Sequence, residues 1–369
     1  MAQRTRRLLG SLSNINTSTA DRFGTGGRSS VSGLKVAIFG GTGFLGRYVT
    51  NEFGQVGSVG YIANRGCEME TRHLKPMFDL GNAAFYLYSP RDEESVSEII
   101  EDADVVVNMI GKRYETKHVF PTNSEGQLDT KFGSRINYGF KEVNVDIAAR
   151  IARIAANTPS VKQLIHVSAL AADPNSNSEW ARTKYEGELA VREAFPGATI
   201  IRPATLFGVE DRFINWYATN RKVLVNDGKA LVQPVHAVDV AMAIKKICDD
   251  PETLGGKTYE LAGPQEYSRA EIVDFVRDVT QQRNMKDEPF SVPKPLLKGM
   301  AHALEYLWDP SISHDEVELM DIDTVLKPES DALTFADLKM TPSPIEKICF
   351  NYLYQYRTGS HFLDAPGYH

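Results

Sequence analysis

The chain has 369 residues, 42% hydrophobic and 24% charged, with 41 Lys and Arg against 48 Asp and Glu and a net charge of −7. That balance excludes a disordered, collagenous or disulfide-stapled chain, gives length for one large or two modest domains, and argues against a general nucleic-acid binder. Three well-separated cysteines, Cys67, Cys248 and Cys349, show no metal-ligand spacing and fit a reducing compartment, and no run of about 18 apolar residues offers a membrane-spanning helix.

The charge is unevenly placed. Residues 1–34 hold Arg4, Arg6, Arg7, Arg22 and Arg28 against the single Asp21, a net of +4, so the remainder carries −11, the difference between −7 and +4. The same stretch holds ten Ser and Thr and no apolar core segment. Arg-rich, Ser-rich and acid-poor is the composition of a mitochondrial or plastid transit segment rather than a secretory signal; a basic tail with no address has the same composition.

Residues 35–39 (KVAIF) form a short apolar run ending in glycines, which reads as a buried parallel strand. Further strands are expected at 58–63, 83–88, 104–108, 163–168 and 198–202. Helices are expected at 44–53, 93–102, 143–157 and 178–194. This alternation implies an α/β fold, a doubly wound Rossmann-type parallel sheet with helices on both faces. Past residue 205 the rhythm loosens, with helices expected at 238–249, 269–282 and 296–308, and a smaller mixed C-terminal region packs on the sheet edge. The expected organisation is a transit segment at 1–25, a linker at 26–33, a dinucleotide-binding domain at 34–205, and a docking region and tail at 206–369.

The loop Gly40-Gly41-Thr42-Gly43-Phe44-Leu45-Gly46 follows the first strand and opens the first helix. The early glycines let the backbone turn tightly and approach a pyrophosphate, Gly46 lets helix and strand pack closely, and helix N–H groups face the phosphates. An NAD site usually ends its second strand with an acid that holds the ribose 2′-OH. This chain offers Asn64-Arg65-Gly66 there, and Arg65 can pair with a 2′-phosphate, so NADP(H) is the expected cofactor.

From Leu34 to Gly263 this order resembles the extended and atypical branches of the short-chain dehydrogenase/reductase superfamily. The resemblance makes Asn108, Ile110 and Gly111 the cofactor-lining loop of the fourth strand. It makes Asn144 the helix asparagine and Pro203, Ala204, Thr205 and Leu206 the loop beside the nicotinamide; Ser168 stands either at the family's serine position or as a plain strand-end serine. Active members carry Tyr-x-x-x-Lys, with lysine on the nicotinamide ribose and tyrosine as acid/base. Here the matching stretch is Trp180-Ala181-Arg182-Thr183-Lys184. Lysine is kept, but the indole cannot donate a proton near neutral pH, and the adjacent Tyr185 points about 100° away around the helix.

Longer strings resemble a narrower family: 26–33 (GGRSSVSG), 73–81 (HLKPMFDLG), 111–117 (GKRYETK), 207–215 (FGVEDRFIN) and 233–239 (QPVHAVD). They resemble the NADPH-binding accessory subunits of mitochondrial respiratory complex I, the alpha subcomplex subunit 9 family. That resemblance implies a non-catalytic protein on the matrix side of the inner membrane, at the junction of peripheral and membrane arms near the quinone site. It implies tightly held NADPH, contacts with subunits of the quinone module and membrane arm, a role in assembly and stability, and neither nucleic acid nor metal. An active NADP(H)-dependent reductase or epimerase of a small carbonyl substrate, or a free NADP(H) redox sensor, fits the fold as well. Departures from the family are an insertion at 117–137, Ser89-Pro90 where an acid often lies near the adenine, and Trp180.

Two stretches are candidate partner surfaces. Leu296, Leu297, Met300, Leu304, Leu307 and Trp308 lie close to one helical stripe, which serves either this protein's own core or a membrane-arm subunit or lipid. Phe350, Tyr352, Tyr354 and Tyr356 form either a clamp on a partner or a locally packed extension.

Overall fold

A computed structural model describes residues 30–115, 138–220, 222–281, 288–305, 310, 312–327 and 330–357. The expected transit segment, most of the linker, the 117–137 insertion, and Leu307 and Trp308 lie outside the described residues.

Seven parallel strands form the main sheet: β1 Lys35–Phe39, β2 Val59–Asn64, β3 Ala83–Leu87, β4 Val105–Asn108, β5 Gln163–Val167, β6 Thr199–Pro203 and β7 Thr258–Leu261. Their spatial order is β7-β6-β5-β4-β1-β2-β3. The β1 register, Val36 beside Gly60 and Val105, sets its alternate side chains on opposite faces. Val36 and Ile38 meet Leu45, Val49 and Phe53 of helix α1 (Phe44–Gln55). Ala37 and Phe39 meet the second layer, formed by α2 (Glu93–Ile100) and α3 (Ile147–Asn157). Burial on both faces explains why β1 and β4 are unbroken Val, Ala and Ile runs.

Helix α4 (Glu179–Ala194) is started by Ser178, whose hydroxyl accepts from the Ala181 N–H. It carries Gly187 because a Cβ there would lie 2.1 Å from the Asn144 carbonyl oxygen. The approach is close because the helix before α3 opens with a π turn, Glu142–Asp146, that carries Asn144. Further along, Glu188 grips Arg202 of β6 at 2.7 Å, and the same guanidinium reaches Glu260 of β7 at 3.0 Å. This largely buried acid–base–acid bridge fixes α4 to the far half of the sheet.

The chain beyond residue 205 supplies both β7 and α6 (Ala237–Asp249), which packs on α1, so it completes the sheet and one of its layers. The order of the preceding short helix, α5 (Ile214–Thr219), and of α7 (Arg269–Thr280) and α10 (Ile345–Leu353) then follows from a shared core with Tyr217, Val276 and Leu353. The expected helix at 269–282 stops at Thr280 because Gln281 adopts φ 52°, a left-handed cap. The expected helix at 296–308 is α8, Lys294–Leu304. Its apolar stripe divides: Leu297 and Ala301 bury against Val225, Ile312 and Val317 of α9 (His314–Leu319), whereas Leu296 and Met300 stay exposed. Neighbours in sequence differ by about 100° around a helix, so Leu296 and Leu297 cannot share an inward direction. In the C-terminal run, Tyr352 is buried in the core and donates to Asp211 at 3.1 Å, whereas Phe350 is exposed. Among the described residues no helix is long and apolar enough to cross a membrane.

Gly187→Ala should lower stability by about 2 kcal/mol or more, because a backbone oxygen cannot move aside as a flexible side chain would. Urea unfolding of the full chain checks this; a change under about 0.5 kcal/mol would show that the α4 contact is loose.

Candidate functional site

The sequence-predicted site residues gather along the carboxyl edge of β1, β2, β4, β5 and β6, where open α/β sheets receive ligands. At the centre is the β1–α1 turn. Gly40 has φ +85°, and a Cβ there would lie 3.0 Å from the Met109 carbonyl group of the β4 loop. A Cβ on Gly46 would lie 2.1 Å from the Gly40 carbonyl oxygen. Both positions therefore demand glycine, and the turn presses directly on the loop after β4. Gly43 caps α1 without a side-chain hydrogen bond, and no acid occupies the first turn. The helix N-terminus thus keeps its positive end for an anion. Thr42 is half-buried and Gly43 exposed, whereas the Leu45 side chain lies in the core. Leu45 can serve a ligand through its backbone alone. Phe44 stacks edge-on with Tyr48 and borders Gly208, closing the loop on its far side.

At the end of β2, Asn64 turns back on its own loop. Its Nδ2 donates to the carbonyls of Gly66 and Cys67 at 2.9 and 3.2 Å, and its Oδ1 accepts from the Gly66 N–H. It shapes the turn and leaves Arg65 exposed beside it. The first acid beyond, Glu68, pairs with Lys75 at 2.5 Å. At the end of β4, Asn108 likewise accepts from the Ile110 N–H at 3.1 Å and lies 3.3 Å from His166 Nδ1. Beyond β6, the Thr205 carbonyl accepts from Val235 at 3.0 Å, Leu206 begins a two-residue strand beside Val235, and the Ala204 side chain joins the core. Pro203 is the last residue of β6.

Lys184 lies beneath the β4 loop: a Cβ on Gly111 would be 3.3 Å from its Nζ. It is 6% exposed, and burial pushes its pKa down to about 8, with Glu188 one turn on pulling it back up. His166, on β5, is pushed down to about 3 by burial and then by the Lys184 charge, so it is neutral. Sequence reading missed this histidine because its place inside a strand is that of a core residue. Asn144 donates to Thr183 Oγ1 at 3.0 Å. Its Oδ1, Ser168 Oγ and His166 Nε2 are buried without hydrogen-bond partners. Buried polar atoms of this kind cost about 1–3 kcal/mol each unless something completes them. Together with the uncapped helix end they fit the polar groups of a dinucleotide. Among the described residues no cluster of His, Cys, Asp and Glu could hold a metal.

Trp180 stands one turn before Lys184, its ring 6.0 Å from the ammonium. Its indole N–H donates to the Lys112 carbonyl at 2.9 Å, and its backbone N–H to Asp315 at 3.3 Å. Asp315 also takes the Ser178 hydroxyl at 2.7 Å, and Arg113 reaches Glu316 at 2.7 Å. The β4 loop, the start of α4 and the start of α9 therefore meet at this tryptophan. A cavity of about 490 Å³ opens beyond the β5 loop, lined by Leu170, Asp173, Asn177, Arg202, Glu260 and Asp323 among others.

Residues 36–262 match the model of the NAD dependent epimerase/dehydratase family. The chain is 38% identical to the mitochondrial NADH-ubiquinone oxidoreductase 40 kDa subunit of Neurospora crassa, over 92% of this chain and 84% of that protein. It is 36% identical to the mitochondrial NADH dehydrogenase (ubiquinone) 1 alpha subcomplex subunit 9 of Arabidopsis thaliana, over 92% and 82%. Among solved structures, dTDP-glucose 4,6-dehydratase from Bacillus anthracis in complex with NAD superposes with a TM-score of 0.58 at 16% identity, covering 88% of this chain and 96% of that one. The last likeness concerns the fold alone.

Lys184 sets a pH dependence. Its folded pKa of about 8 lies below the ordinary 10.5. Between those values the unfolded chain binds a proton that the folded chain has lost, so stability should rise with pH across that window. Below it the buried charge is a constant cost. Lys184→Met should therefore stabilise the ligand-free chain by about 1–3 kcal/mol at pH 7 and flatten the alkaline rise. Unfolding midpoints at pH 7 and pH 10 check both; equal destabilisation at the two would show that the ammonium has an unrecognised counter-charge.

Proposed function

The chain belongs to the NAD dependent epimerase/dehydratase family and, within it, to the family of complex I alpha subcomplex subunit 9, and on that premise we propose that it is a non-catalytic accessory subunit that holds NADPH as a structural group. One observation carries this reading: the phosphate turn and Lys184 are intact, while the position one turn before Lys184 is Trp180, tied by its N–H to the Lys112 carbonyl. The site keeps what binds a dinucleotide and replaces what would move a proton.

The roles divide along the carboxyl edge. Backbone groups of Gly40, Gly41, Thr42, Gly43, Phe44, Leu45 and Gly46 would cradle the pyrophosphate. Arg65 would take the 2′-phosphate through charge-assisted bonds, where an acid would have favoured NAD. Lys184 would hold the nicotinamide ribose, with Ser168, Asn144 and the Pro203–Leu206 edge lining the nicotinamide end; Asn64, Asn108, Ile110 and Gly111 shape the loops on either side. Bound NADPH supplies hydride chemistry in active relatives of this fold. A carbonyl reduced here would also need a proton, and the indole N–H is far too weak an acid to give one near neutral pH.

The protein's place is the mitochondrion, peripheral on the matrix side of the inner membrane, at the junction of the peripheral and membrane arms near the quinone site. Its partners there are subunits of the quinone module and membrane arm, and the exposed Leu296 and Met300 of α8 suit such a contact, with protein or lipid. Binding of NADPH stabilises the folded chain and with it the assembled complex.

Three measurements test the reading. Respiratory complexes separated from mitochondria should carry this chain in the complex I band by mass spectrometry; its absence there would overturn the assignment. The purified chain should retain NADPH and show no oxidation of it over a panel of small carbonyl compounds, whereas steady turnover would restore an enzymatic role. Arg65→Glu should weaken NADPH binding by at least about tenfold through reversal of one charge at the phosphate. Unchanged retention in that variant would remove Arg65 from the site.

A further inference from the structure

Three basic side chains, from the ends of β2, β3 and β4, converge on Tyr138, two on its ring and one on its backbone carbonyl. Arg65, after β2, lies with its guanidinium carbon 5.4 Å from the centroid of Tyr138. Arg91, after β3, lies 4.8 Å from the same centroid. Lys112, after β4, donates from Nζ to the Tyr138 carbonyl at 2.6 Å. Tyr138 is 5% exposed, so its ring is a fixed platform rather than a surface side chain.

The charges around the ring are not equivalent. Glu142 holds Arg91 with paired bonds of 2.6 and 3.0 Å. Glu115 acts on Lys112, whose proton affinity is lowered first by burial and also by Arg65. Arg65 is the exposed member, and it stands at the end of β2, where a dinucleotide fold receives the adenosine ribose. A guanidinium held over an aromatic face by cation–π attraction loses much of its freedom, and its planar fork of N–H donors suits a phosphomonoester.

We propose that Tyr138 determines the choice of NADP(H) over NAD(H), by holding the Arg65 guanidinium flat so that its edge meets the 2′-phosphate, with Lys112 adding a second positive charge and Arg91 bracing the ring. This rests on the NADP(H) reading above. The ring does the positioning. The phenol oxygen is buried without a hydrogen-bond partner, so it contributes nothing that phenylalanine would lose.

The test is calorimetric titration of the full chain with NADPH and with NADH. Tyr138→Leu should weaken NADPH about tenfold and leave NADH unchanged, and Tyr138→Phe should keep the wild-type ratio. Equal loss of both nucleotides in the leucine variant, or loss of neither, would overturn the proposal. Should Tyr138→Leu not fold, Arg91→Lys decides: it keeps a cation beside Glu142 but gives up planar stacking, and it should lower NADPH affinity a few-fold with NADH unchanged. An unchanged ratio there overturns the proposal too. A wild-type chain that binds NADH as tightly as NADPH would instead remove the NADP(H) reading itself, before any variant is made.

Discussion

Backbone contact at the β1–α1 turn is the constraint on which the site depends. Gly46 brings the first turn of α1 onto the Gly40 carbonyl, and Gly40 in turn lies against the Met109 carbonyl of the β4 loop. With no side chains between them, the helix end, the first strand and the fourth-strand loop share one small volume. The helix N-terminus can then point its unpaired N–H groups at an anion, and the β4 loop can roof Lys184. A single methyl group at Gly46 would separate helix from strand and disperse the rest of the carboxyl edge.

Stability is given up at the other end of the carboxyl edge. Lys184 is buried with a lowered pKa, His166 is held neutral below it, and Asn144 Oδ1 and Ser168 Oγ lack partners. A core of apolar residues would be more stable in isolation. Such groups persist where a ligand completes them, and they make the folded state depend on that ligand. Trp180 supplies a bridge from α4 to the β4 loop, and through its backbone to Asp315 of α9. The carboxyl edge of the sheet and the C-terminal region are thereby joined by hydrogen bonds at one residue.

Much of the site was legible because it obeys local rules. The continuous apolar runs of the buried strands, the glycine loop between strand and helix, Arg65 at the end of the second strand, and the four-residue spacing from Trp180 to Lys184 are read directly along the chain. Other parts were not. Asn64 and Asn108 look like ligand contacts in sequence, yet each folds back on its own loop, because a short amide side chain at a strand end finds the nearest backbone groups first. The stripe of α8 looked continuous, but the helix divides it between a buried and an exposed side.

The amino-acid sequence by itself thus determined the fold class, and it displayed the glycine-rich turn, Arg65 at the end of the second strand and Trp180 four residues before Lys184, since each depends on residues within a few positions of one another. The tertiary structure decided that residues 258–261 complete the sheet, that His166 lies beside Lys184, and that Arg65 and Arg91 share the ring of Tyr138 while Lys112 meets its carbonyl. Those meetings follow from the order of strands in space. Strand order is fixed by how whole elements pack, so no periodicity along the chain records it.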